Sequence, residues 1–234
     1  MPTPDSSGTP PEHPSPGTAP ARAGERWWPV VSAVLTTALL HVLLPETYRE
    51  SPPWALPAVL LVLLAVLVVG DPGRIDRRRR WLRVVTDLVI AFVTLANLFA
   101  AGRLVTDILT GNTIYANNAT GLLATGGVVW ATNVIAFALW YWDLDRGGAA
   151  ARAYRPFADP AFVFPEMQYP HHAPPDWVPV FADYLSLSFW TATAFSPTDV
   201  SAIRRWAKAL MMAQAAVSLA VGALVIARAI NILQ

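Results

Sequence analysis

Five apolar runs constrain this chain more than any other feature. They occupy about residues 28–44, 54–70, 84–109, 119–142 and 206–232. A helix needs roughly 20 apolar residues to cross a bilayer, with about 17 as the short limit. The first two runs sit at that limit, and the third is long enough to cross with tilt. Pro29 suits the first helical turn of the first run. Only 14% of residues are charged, against about 25% in an average soluble domain. The pattern predicts an all-α integral membrane protein.

What lies between the runs is equally readable. Residues 1–25 are rich in Pro, Gly, Ser and Thr and hold no apolar stretch, which predicts a disordered tail and not a secretory signal. Residues 26–142 then form a four-helix transmembrane region. Pro45 and Pro52-Pro53 bracket the first turn, and Gly111–Asn118 make another. Residues 143–180 carry seven prolines, Pro156 to Pro179, and are expected to be a loop. Residues 181–196 are apolar but short and laced with Ser and Thr. They read as a re-entrant helix, giving five crossings plus a pore-loop-like element; six short spans are the alternative. The final run completes a unit at 181–234.

Arginine sets the orientation. Arg74, Arg77, Arg78, Arg79, Arg80 and Arg83 crowd the link between the second and third runs, so that link is expected in the cytoplasm. Alternation then puts the N-terminus inside with Arg22 and Arg26. The Pro-rich loop, with Arg146, Arg152 and Arg155, also falls inside. Five spans leave the C-terminus outside, and six leave it inside.

The stretch Ser188-Phe189-Trp190-Thr191-Ala192-Thr193-Ala194-Phe195-Ser196-Pro197-Thr198-Asp199 resembles the pore helix and filter of potassium channels. Trp206 and Lys208 fall where many such channels begin their inner helix. The resemblance implies a pore loop at Thr191, Thr193, Ser196, Pro197, Thr198 and Asp199. The filter glycines are replaced by Ser196 and Thr198 and the tyrosine by Pro197. A potassium filter is a ring of stacked carbonyls, and its glycines adopt backbone conformations costly for other residues. Potassium selectivity is therefore not expected. In those channels the loop faces outside, whereas the arginine count places it inside here.

A second resemblance covers most of the chain after the tail. It rests on Leu139-Trp140-Tyr141-Trp142-Asp143-Leu144-Asp145-Arg146-Gly147-Gly148, Phe164-Pro165, Thr191–Asp199 and Arg205–Met212. On these residues the chain is similar to a family of uncharacterised bacterial multi-pass membrane proteins grouped as a domain of unknown function. The resemblance implies a bacterial plasma (inner) membrane and no established activity.

Several polar residues within the runs are candidate sites. Asp87 and Asn97 share a face of the third run with Thr94; they line a pathway, or Asp87 merely caps at the interface. Arg103 and Asp107 are four apart and are expected to pair. Gln214, Ser218 and Gly222 form a stripe that lines a pore or, by preference, makes a close helix contact. Asp143 and Asp145 oppose the macrodipole at a helix C-terminus, with Arg146 and the glycine stop Gly147-Gly148 following. Arg204 and Arg205 are their expected partners. His171, His172 and Asp176 are weak metal candidates, because the spacing fits no common ligand set.

The excluded classes follow from what the chain lacks. It has no cysteine, hence no disulfide, thiolate site or cysteine nucleophile. It shows no Ser-His-Asp order, P-loop, HExxH or GxGxxG, so no enzyme and no cofactor are expected. A net charge of +1 gives no field for nucleic acid. The expected partners are the lipid bilayer, a second copy of the chain, and an ion or small solute. The function expected is a channel-like or transporter-like pore, with a non-conducting membrane scaffold or lipid-interacting protein as the alternative.

Overall fold

The structure is a computed structural model that describes residues 25–44, 52, 54–70, 74–75, 80–111, 115, 118–154, 159–174, 177–193 and 199–233. Each apolar run becomes a helix: α1 (Trp28–Leu43), α2 (Ala55–Gly70), α3 (Arg80–Leu109), α4 (Ala119–Leu144) and, last in the chain, α8 (Arg205–Leu233). Pro29 sits in the first turn of α1 as expected. Asn118 caps α4 by accepting from Gly121 N at 2.8 Å, which satisfies one of the amides a helix start leaves unpaired. Among the described residues, three helical stretches, Trp81–Leu109, Ala119–Gly147 and Arg205–Leu233, are long and apolar enough to cross a membrane. The helices α1 and α2, at 16 residues each, are shorter.

The stretch expected to be a proline-rich loop holds more structure than prolines alone suggest. A 3-10 turn, Asp145–Gly147, closes α4. Three alanines then open α5 (Ala149–Tyr154), and Pro165 starts the single turn α6 (Pro165–Gln168). The helix α7 (Phe181–Thr193) follows. Two short antiparallel pairs staple the ends. β1 (Glu25–Arg26) pairs with β2 (Arg74–Ile75), and β3 (Phe162–Val163) pairs with β4 (Ser201–Ala202). Glu25, assigned to the disordered tail above, is thus tied into the fold; residues 1–24 lie outside the described residues.

The helix α4 is the hub. In its most apolar window 67% is buried, against 28% for α3 and 22% for α8. It touches α1, α3, α7 and α8. Small side chains make this possible, because Gly121, Thr125, Gly126, Thr132 and Ala136 are all buried and let neighbours approach. The outer faces of α3 and α8 present Leu88, Leu95, Phe99, Met212, Leu219 and Ile226 outward. Such faces suit hydrocarbon as solvent.

The helices α4 and α8 approach closely at Gly126, where an added Cβ would sit 2.8 Å from both methyls of Val225. Val225 is short and β-branched, so α8 itself must move. Gly126→Ala is expected to destabilise by about 1–3 kcal/mol through overpacking. Gly127→Ala is the control. Nothing lies within 4 Å of its Cβ, so the gain in helix propensity, about 1 kcal/mol or less, should show. Thermal unfolding in detergent checks both, and equal shifts would refute the close contact.

Candidate functional site

Two polar clusters and one cavity stand out in this apolar bundle. The first cluster gathers at the end of α4. Arg146, Gly147 and Gly148 have φ of 54°, 81° and 91°, a left-handed run that ends the helix. Glycine is needed at 148, since a Cβ there would lie 3.1 Å from Asp143 O. The turn directs Asp145 into the protein, where it is fully buried. Its carboxylate accepts from Ala161 N at 2.7 Å and from the Tyr184 hydroxyl at 2.6 Å. Arg146 Nε lies 3.4 Å from it.

Arg152 lies alongside. Its guanidinium donates to Trp142 O at 2.6 Å and Asp145 O at 2.9 Å, the carbonyls a helix end leaves unpaired. It also lies 5.1 Å from the Tyr184 ring centroid. Glu25 closes the cluster: it pairs with Arg152 at 3.4 Å and accepts from Trp142 Nε1 at 2.8 Å and Phe181 N at 2.5 Å. The cluster joins Glu25, the first of the described residues, to α4, α5 and α7. A buried charge is tolerated when paired and hydrogen-bonded, and both carboxylates meet that condition.

The second cluster sits where α3, α4, α7 and α8 meet. Asn97 donates to Asn133 Oδ1 at 3.0 Å, and Asn133 donates to Ser218 Oγ at 2.8 Å. Gln214 accepts from the Tyr141 hydroxyl at 2.5 Å. Gln214 Nε2 donates to Ser188 O at 2.8 Å and Ser188 Oγ at 2.7 Å. Ser188 in turn donates to Val134 O at 2.6 Å. Gln214, Ser188 and Asn133 are all buried. These bonds set the rotation of four helices about their axes.

The sequence candidates fall out unevenly. Asn97, Gln214 and Ser218 enter the second cluster. Asp87 meets the Asp143 carboxyl across the α3–α4 contact. Thr94, on the same face, accepts from Trp140 Nε1 at 2.8 Å. Arg103 and Asp107 pair at 3.9 Å. Thr191 is buried and donates to Leu187 O within its own helix, and Thr193 donates to Trp190 O. Asp199 is exposed. Ser196, Pro197 and Thr198 lie outside the described residues, as does Asp176. His171 and His172 are exposed in a turn.

Two expectations are corrected. Arg204 does not compensate the acids of α4; it pairs with Asp159 at 3.2 Å, and Arg205 is exposed. Asp145 is served instead by its sequence neighbour Arg146, because the left-handed turn folds that side chain back. Gly222 is not the close contact on α8, since nothing lies within 4 Å of its Cβ; that role falls to Val225 against Gly126. Sequence reasoning missed Asn133, Ser188, Arg152, Tyr184 and Glu25 as members of these clusters. Asn133 was findable, as an amide in the middle of an apolar span. The Glu25 carboxylate carried no signal, because its side-chain partners are more than a hundred residues away.

The cavity lies between α1, α2, α3, α4 and α5, with Arg83 and Asp143 among its lining. No known protein family, no curated protein and no solved structure matches this chain.

Proposed function

We propose that this chain is a non-conducting multi-pass membrane scaffold in which α7 is a packing element. Five helices cross and α7 re-enters, in a bacterial inner membrane with the arginine-rich end cytoplasmic. The observation that carries the reading is the inward hydrogen bonding of the polar faces of α7 and α8. Ser188 and Gln214 bond to each other and to α4, so the hydroxyl and amide that would line a pore are used within the protein. Re-entry has its own support. Phe181, at the start of α7, bonds Glu25, and Ser201, beyond its end, pairs with Val163. Both anchors lie beside the Asp145 cluster, which supports an entry and an exit at one end of the bundle.

A pore is the second reading, favoured by the exposed Asp199 just after the filter-like stretch. A carboxylate there would draw cations to a mouth. Flux in proteoliposomes separates the two. The scaffold reading expects no flux above empty vesicles for potassium, sodium or chloride. It expects Ser188→Cys to resist a membrane-impermeant thiol reagent, and Asp199→Cys to react from the cytoplasmic side alone. The cysteine-free background makes the labelling clean. Flux of any of these ions that is blocked by labelling at Thr193→Cys or Thr198→Cys would establish the pore instead.

A further inference from the structure

At the arginine-bearing end of the bundle the helices leave a cavity between them. The first halves of α1 and α3, the last turns of α2 and α4, and α5 enclose a cavity of about 390 Å³. Sites for small ligands run from about 300 to 1,000 Å³. The walls are apolar, with Val34, Leu64, Ile90 and Leu139 among them, while Trp27, Arg83, Thr86 and Asp143 stand toward the helix ends. A cavity apolar at depth and polar at its rim matches an amphiphile, with its tail inside and its head at the interface. Tryptophan at the rim suits the headgroup level of a bilayer.

The charge at this end chooses the head. Arg83 is exposed and donates to Gly147 O at 3.0 Å; a guanidinium carries further N–H donors and binds phosphate in bidentate fashion. Between residues 74 and 87 the sequence holds six arginines against two aspartates. Asp143 lies against Asp87 with Arg83 near by, and no group of three or more acidic or histidine side chains that could hold a metal ion occurs among the described residues. Basic residues at the end of a membrane helix attract anionic lipid headgroups. We propose that the cavity takes one acyl chain of an anionic phospholipid, with the lipid phosphate over Arg83. The inference rests on the helices being embedded in lipid. It does not depend on whether the stretch after α7 conducts, because the cavity is lined from α1 to α5.

Native mass spectrometry of the full chain, reconstituted with phosphatidylglycerol and phosphatidylcholine of matched acyl chains, tests it. The wild type is expected to retain one phosphatidylglycerol and to prefer it about tenfold, the scale of one charge-assisted contact. Arg83→Gln should cut the preference to threefold or less, while Arg83→Lys keeps most of it. Ala150→Phe, which fills the cavity, should lose retention of both lipids. Where a variant fails to fold, short-chain phosphatidylglycerol and phosphatidylcholine are compared as displacers of the lipid held by the wild type. The anionic one is expected to work at about one tenth the concentration. Equal retention of the two lipids, equal displacement, an unchanged preference in Arg83→Gln, or tighter binding of an alkylammonium amphiphile would each overturn the proposal. Resistance of the reconstituted chain to alkaline extraction tests the embedding separately.

Discussion

Asp145→Ala is expected to abolish most of the folded protein recovered in mild detergent. The carboxylate is fully buried and serves three groups: Ala161 N, the Tyr184 hydroxyl and the Arg146 guanidinium. Alanine removes all three contacts at once. It takes the buried carboxylate from beside Arg146, and removing one member of a buried pair costs about 3–5 kcal/mol. That is a large part of the stability of a typical domain, roughly 5–15 kcal/mol. Asp145→Asn keeps the shape and one acceptor and should fall between wild type and alanine. The readout is the unfolding temperature together with the monodisperse fraction on size exclusion. An Asp145→Ala protein that unfolds at the wild-type temperature would show that the cluster contributes little to folding.

Gln214→Leu is expected to lower stability by about 2–4 kcal/mol, although leucine suits lipid better than glutamine. The side chain is fully buried and holds Tyr141 and Ser188 through three bonds. Membrane hydrogen bonds average only about 0.6 kcal/mol each. The larger figure comes from the partners left behind, since each buried polar group without a partner costs about 1–3 kcal/mol. Gly222→Ala, on the same stripe, has open space at its Cβ and should be near neutral. A double-mutant cycle of Gln214→Leu with Ser188→Ala should give a coupling of about 1 kcal/mol or more. Additive effects would mean that the two residues do not act through their contact.

Much of the fold was legible because hydropathy is a sum over neighbours in sequence. Helix α4 was expected from about residue 119 and begins at Ala119; α8 was expected from about 206 and begins at Arg205. The start of α3 was placed four residues late, because Arg80–Arg83 read as a charged link while arginine is also a good helix former. The Arg103–Asp107 pair was legible for the same local reason, being one turn apart on a helix.

The sites were legible only in part. Asn97, Gln214 and Ser218 were visible as polar residues in apolar runs, which predicts that they face protein. Which partners they find depends on the rotation and crossing of four helices, and no local sum contains that. Sequence by itself determined the five long apolar helices, their approximate ends and the short list of polar residues that must be satisfied. Tertiary structure alone decided that Asp145 turns to Tyr184 and Ala161 while Arg204 turns to Asp159. It alone decided that Glu25 locks α5 to α7, and that α1 to α5 leave a cavity beside Arg83. The physical reason is range. A helix is stabilised within four residues of each position, whereas a buried charge is satisfied by whatever packing brings within about 3 Å of it.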